Sequence, residues 1–453
     1  MSVLLTHAYY LEEDEKEANI MKPYVPLGIL YISAYLKENN FKTKVFDTTF
    51  SSYDKQQKEL LATRPKVIAI YTNLVTKLNV IRLINWIKSQ PSLSQSKVVL
   101  GGPDLRYNID NYLKTGADFL VIGEGEQTMK ELCDHLLTNT DSDLSEVQGL
   151  AYLQDGNVVQ TPERIKIKDI NELPFPDRSA IDLNKYQETW KTHHGMSMLS
   201  ISTQRGCPYT CKWCSTAVYG MSYRRRSAKL VADEVEMLLK EYQPNAFWFV
   251  DDVFTVSHKW IDAFHHEVLS RGLKFNFECI TRAERLTDKV LDQLKEMGCS
   301  KIWIGAESGS QQIIDEMDRR VDIDLVAETI IKTKEKGIGT GTFIMLGYPT
   351  ETIIDIENTV KYLSKCNPDD FTITLTYPIK GTSLYEQVKP KITSDLDWFS
   401  STDRDIDFTR TYSRRFYDHA IRYVVNSVKF NQTKSPKHKL KAIYSKTMMN
   451  TLK

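Results

Sequence analysis

The stretch "RGCPYTCKWC" places Cys207, Cys211 and Cys214 on one short loop of a 453-residue chain that has only seven cysteines. With three residues between the first pair and two between the second, the loop can wrap and turn three thiolates toward one soft centre. Structural zinc would want four protein ligands, and no further cysteine or histidine follows at finger spacing; His193 and His194 precede the loop. Cys133, Cys279, Cys299 and Cys366 are scattered singly, which suits reduced thiols of a cytoplasmic protein better than a disulfide framework. A four-iron cubane held by three cysteines leaves one iron without a protein ligand, and chemistry can occur at that vacancy.

The loop needs a scaffold, and the flanking sequence supplies one. A series of β-rich runs begins at "MLSIST" (198–203) and continues through "AFWFVDD", "KFNFECITR", "KIWIGAES", "GTFIMLGYP" and "FTITLTYP", with amphipathic helical stretches between them. Six such β/α units predict a partial (β/α)6 TIM barrel over 196–390, shorter than the eight units of a closed barrel. Every strand ends in polar or glycine residues, so the functional rim lies at the carboxyl ends. The first 140 residues alternate strand and helix as well, which predicts a doubly wound, Rossmann-like parallel sheet. Its strand ends carry Thr6 and His7, Thr72 and Asn73, "GGPD" at 101–104 and "GEGE" at 123–126. Residues 141–195 lose periodicity, and "INELPFPDRSAIDLNKY" has the proline spacing of a linker. The tail over 391–453 reads as a small helical appendage ending in a basic run.

Lys plus Arg equal Asp plus Glu at 59 each, so no overall field draws the chain to nucleic acid or to an anionic membrane. Apolar residues at 41% and charged residues at 26% are values of a globular protein. The N-terminus turns acidic after a few apolar residues, unlike a signal peptide, and no run reaches the length of a membrane span. A cytoplasmic location is expected.

The cysteine motif, with Trp213 as the aromatic before the last cysteine, resembles the cluster loop of the radical S-adenosylmethionine (SAM) superfamily. Over roughly residues 1–390 the chain is similar to the cobalamin-binding (B12-binding) radical SAM proteins, in which a cobalamin domain precedes a partial barrel. The resemblance implies that Cys207, Cys211 and Cys214 ligate a 4Fe-4S cluster whose open iron is chelated by SAM. One electron then splits the bond between sulfur and the adenosyl carbon, giving methionine and a 5′-deoxyadenosyl radical; the other outcome is a methyl group transferred through cobalamin.

By the same resemblance, Trp213, Asp251, Asp252, Arg282, Glu307, Ser308, Leu346 and Gly347 are the expected SAM-binding residues. The aspartate pair would receive the amino group, although two acids before a helix also make an N-cap. Arg282 would suit the carboxylate, or pair with Glu284 or Glu278. Arg224, Arg225 and Arg226 could bind an anion or form a solvated basic turn. Thr6, Thr72, Asn73, Gly101, Gly102, Gly123, Glu124 and Gly125 are the expected cobalamin-binding residues. No D-x-H-x-x-G motif is present, and His7 is expected to be an ordinary strand-end histidine rather than a cobalt ligand.

The leading reading is a radical SAM enzyme, with cobalamin, that methylates an unactivated carbon of a small-molecule substrate and draws electrons from flavodoxin or ferredoxin. Rearrangement, cyclisation or oxidation by the same parts is the near alternative. Readings of other classes are an iron–sulfur electron carrier or redox sensor, and a zinc-stabilised binding module.

Overall fold

The computed structural model describes residues 2–138, 143–215 and 222–453. Two sheets lie side by side. The first runs β1 (Val3–His7), β2 (Thr43–Phe46), β3 (Val67–Tyr71), β4 (Lys97–Gly101) and β5 (Phe119–Val121), all parallel, in spatial order 2-1-3-4-5. These strands are buried on both faces, so they read as continuous Val, Ile and Leu runs. Helices such as Leu27–Glu38 and Lys77–Ser89 cover the faces.

The segment expected to be a linker does more than connect. β6 (Leu150–Gln154) and β7 (Asn157–Gln160) add to the edge of the first sheet as an antiparallel hairpin. Asp155 and Gly156, both at positive φ, form its two-residue turn, a hairpin signal visible in "LQDGNV". Helix Leu183–His194 also lies within this stretch. The expected boundary at 140–141 lies outside the described residues.

The second sheet holds β8 (Met198–Ile201), β11 (Ala246–Phe249), β12 (Asn276–Thr281), β13 (Cys299–Glu307), β14 (Gly339–Leu346) and β15 (Asp370–Leu375). A two-residue ribbon, β9 (Gln204–Arg205) with β10 (Arg224–Arg225), separates β8 from β11 in the chain. The six long strands are all parallel in the order 8-11-12-13-14-15, an open (β/α)6 barrel. One apolar core runs from the near face of the first sheet into the barrel; the far face has its own. Helices Arg414–Thr433 and Pro436–Thr451 form an antiparallel pair at the carboxyl end, the former packed against helix Ile353–Cys366. Among the described residues no helix is long and apolar enough to cross a membrane.

Candidate functional site at the facing strand ends

The cysteine loop leaves β8 under close control. Asp251, at the end of β11, is buried; its carboxylate accepts from the Thr203 N–H (2.8 Å), the Gln204 N–H (3.2 Å) and the Thr203 hydroxyl. Burial raises this carboxyl, and the donors and Arg225 oppose the rise. Gly206 then turns at φ 77°, where a Cβ would lie 2.0 Å from the Ser222 carbonyl oxygen, so only glycine passes. Beyond it the loop is tied down at several points. The Lys212 N–H donates to the Met317 carbonyl (3.2 Å), the Lys212 carbonyl accepts from the Leu384 N–H (2.9 Å), and the Thr210 hydroxyl donates to Asp318 (3.1 Å). Trp213 packs on the apolar cluster of Tyr348, Met317 and Leu384.

Cys207 is buried, Cys211 and Cys214 half-buried, and all three are thiols without disulfides. Among the described residues no three His, Cys, Asp or Glu side chains close to the reach of a single ion. The Cys207 thiol nonetheless feels the charges of Cys211, Cys214 and Asp252. Three cysteines on one short loop suit a cluster in which each thiolate binds a different iron.

Arg282 follows β12 and is almost fully buried. Its guanidinium donates to Cys211 Sγ (3.7 Å), to the Arg319 and Arg320 carbonyls and to Glu284, and lies 4.0 Å from the Tyr209 ring centre. The side chain expected to meet a ligand carboxylate instead clamps the cysteine loop to the turn after helix Gln311–Glu316. Asp252 is the freer of the aspartates: solvent reaches its side chain, although neighbouring protein crowds it. Burial and the neighbouring Asp251 raise it to about 6.

Glu307 ends β13 in the left-handed region at φ 70°, unusual for a residue with a side chain. Burial lifts its carboxyl to about 7 against the pull of Arg319 and Arg282. Gly305 makes room beside it, since a Cβ there would sit 2.8 Å from Arg319 Nη2 and 3.0 Å from the Glu307 carboxylate. Ser308 turns away; it is fully buried and accepts from the Ser310 N–H (3.2 Å). Leu346 is fully buried at the end of β14. Gly347 donates its N–H to Glu351 Oε2 (2.6 Å), while Glu351 Oε1 has no partner.

Burial first, and then Asp355, raise Glu351 to about 8 against the Gly347 N–H. Between the ordinary value of 4.5 and about 8 the folded chain keeps a proton that the unfolded chain has lost, so stability falls as pH rises through that window. Glu351→Gln should remove this fall. Thermal unfolding of the variant should match wild type near the acid end of the window and exceed it at the alkaline end; parallel pH profiles would contradict the assignment.

The first sheet turns its β4 and β5 ends toward this loop. A Cβ built on Gly101 or Gly123 meets nothing within 4 Å, so a flat ligand could approach the backbone there. Gly102, at φ 127°, passes so close to Thr72 that a Cβ would lie 2.0 Å from its carbonyl oxygen. Thr6 and Thr72 are sealed in the core, and Asn73 caps the Thr76 turn. These three hold the edge in shape rather than face an open side. His7 is bonded to Asp47 (2.9 Å) and Thr48 (2.9 Å), an internal histidine as expected. A cavity of about 510 Å³ opens beside the β1 and β3 ends, lined by Tyr9, Tyr10, Asp14, Val75 and Asn79 among others.

Glu124 and Glu126, which flank Gly125, are spent on the barrel. Arg224 grips Glu124 with both nitrogens (2.8 and 2.6 Å), and Arg205 grips Glu126 the same way. Opposition to Arg224 and Arg205 holds the Glu124 carboxyl below its usual range despite burial. The basic triplet is therefore neither a solvated turn nor an anion site. Arg224 takes Glu124, Arg225 stacks 3.6 Å from the Trp260 ring centre and donates to the Phe254 carbonyl, and Arg226 pairs with buried Glu234. Sequence reading passed over Arg205, Glu126, Arg319 and Glu351. For Arg205 the signal was its place directly before the cysteine motif.

Two family models match this arrangement: the B12 binding domain over residues 18–133 and the radical SAM superfamily over 201–363. An uncharacterized methyltransferase of Pyrococcus horikoshii is 27% identical over 391 residues, covering 84% of this chain and 82% of its own. An anaerobic magnesium-protoporphyrin IX monomethyl ester cyclase of Rubrivivax gelatinosus is 27% identical over 412 residues, 86% of this chain and 71% of its own. The solved structure of the cobalamin-dependent SAM radical enzyme OxsB with aqua-cobalamin superposes at a TM-score of 0.76. It is 17% identical, covers 99% of this chain and 71% of OxsB, and shares the fold.

Proposed function

We propose that this chain, which belongs to the radical SAM proteins that carry a B12-binding domain, splits SAM reductively and methylates an unactivated carbon of a small molecule. The observation that carries this reading is the juxtaposition of a three-thiol loop on the barrel rim with an open glycine edge on the first sheet. The two are bolted together by Arg205–Glu126 and Arg224–Glu124. Cys207, Cys211 and Cys214 would hold the cluster, and the Gly101 and Gly123 edge would hold the corrin. When bound, the cluster supplies one electron to the sulfonium and cobalamin carries the methyl group.

The chain's own groups do the positioning. Asp252 receives the SAM amino group, and Glu307 faces the ribose. Gly347 offers backbone to the adenine, while Glu351 fixes its N–H. Arg282 keeps Tyr209 and Cys211 in place, which fixes the loop at the rim. Residues to Gln160 make the cobalamin half, 196–390 the radical half and 391–453 an accessory segment. The single, scattered spacing of Cys133, Cys279, Cys299 and Cys366 suits a reducing compartment, and a flavodoxin or ferredoxin would supply the electrons.

The likeness to a cyclase over 86% of this chain favours a second reading, hydrogen abstraction followed by ring closure or oxidation. Anaerobic protein with reconstituted cluster and cobalamin, incubated with SAM, a reductant and candidate metabolites, separates the two by mass spectrometry. Methyl transfer yields S-adenosylhomocysteine together with 5′-deoxyadenosine and a product heavier by one methyl group in place of hydrogen. 5′-Deoxyadenosine alone supports the second reading, and intact SAM contradicts both.

A further inference from the structure

The chain is neutral overall, yet residues 419–453 hold eight lysines and arginines and no acid, so the rest carries a net charge of −8. This basic run ends in helix Pro436–Thr451, whose Ala442, Ser445 and Met449 are buried; helix Arg414–Thr433 packs alongside. On the opposite side Leu440, Ile443 and Tyr444 are 69%, 54% and 60% exposed. At about 100° per residue, these three share one outward stripe, diametrically across from the buried one. Lys437 and Lys441 border the stripe on one flank and Lys439 on the other, all exposed.

We propose that this helix lies on an anionic lipid surface, with Leu440, Ile443 and Tyr444 entering the headgroup boundary and the bordering lysines reaching lipid phosphates. An outward apolar stripe edged on both sides by lysine stems fits a plane, because the stems run along apolar matter while the ammonium groups stay at the charged level. A second copy of the chain is disfavoured, since a two-fold contact would set two acid-free basic segments against each other. Neutral composition conceals the feature, because attraction to a surface acts within a Debye length and is set by the local charge. The inference stands apart from the proposed reaction, because this helix packs on helix Arg414–Thr433 rather than on the sheets that carry the cysteine loop and the glycine edge.

The test is sedimentation of the full chain, purified anaerobically, with phosphatidylcholine vesicles and with vesicles mixing phosphatidylcholine and phosphatidylglycerol. Binding is expected to the mixed vesicles only and to weaken with added salt. The triple variant Leu440→Ser, Ile443→Ser, Tyr444→Ser should bind at least about tenfold more weakly, and Lys437→Gln, Lys439→Gln, Lys441→Gln should lose the preference for anionic lipid. Both sets lie on the exposed side, so thermal unfolding and iron content should be unchanged. No binding by wild type, equal binding by the triple serine variant, or a dimer in solution that this variant dissociates would each overturn the proposal.

Discussion

Replacing Cys207, Cys211 or Cys214 by alanine, one at a time, is expected to abolish reductive cleavage of SAM and to deplete bound iron. The three thiols stand near enough to influence one another, but no closed single-ion site forms among the described residues. If each thiolate holds its own iron, losing any one removes the electron source instead of weakening it. Folding should suffer little. The loop is held by backbone bonds from Lys212 to Met317 and Leu384, and by the Asp251 carboxylate on Thr203 and Gln204, none of which uses a thiol. The comparison that makes this specific is alanine at Cys133 or Cys366, both buried in the apolar core. Those variants should lose about 1–2 kcal/mol of stability and keep their iron. Iron analysis, visible spectra and 5′-deoxyadenosine yield measure both sets; a cysteine-loop variant that retains iron and cleaves SAM would contradict the assignment.

The second large effect is expected at the join between the two sheets. Glu126 is nearly sealed from solvent and Glu124 largely so, each gripped by both nitrogens of an arginine from the ribbon that brackets the cysteine loop. Removing one member of a buried pair leaves the other charge without a partner, a loss of about 3–5 kcal/mol when burial is complete. With the arginines 14–22% exposed, Glu124→Ala and Arg224→Ala should each cost about 2–3 kcal/mol in chemical denaturation. Their charge-swapped double variant, Glu124→Arg with Arg224→Glu, should recover part of the loss. Cobalamin release should quicken in the single variants, because the Gly123 edge is held in register by the same glutamates. Additive effects across the Arg224–Glu124 cycle would show that the pair does not couple.

The two alternating sheets were legible because buried parallel strands must be continuous apolar runs ending in turn residues. The eleven parallel strands from "SVLLTH" to "FTITLTYP" lie where those runs predict. The β6–β7 hairpin was missed because its signal, Asp155–Gly156, is two residues long and sits beside a proline-rich connector. Within the site, the cysteine motif was plain from spacing alone. The partners of its neighbours were not, since Arg282 to Cys211 spans 71 positions and Arg205 to Glu126 spans 79. Residue type put Asp251 and Ser308 at strand ends but did not give the direction of their side chains. Asp251 braces the loop from behind and Ser308 faces the core. The basic run of the tail was legible, but the outward stripe of Leu440, Ile443 and Tyr444 was not, because composition says nothing about which face a residue takes.

The central claim is that one iron of the cluster is left for SAM by the three thiols. Mössbauer spectra of the reconstituted protein, recorded anaerobically with and without SAM, test it most directly. Adding SAM is expected to shift the signal of a single iron site while the other three stay as they were. Four equivalent sites that SAM leaves unmoved would contradict it.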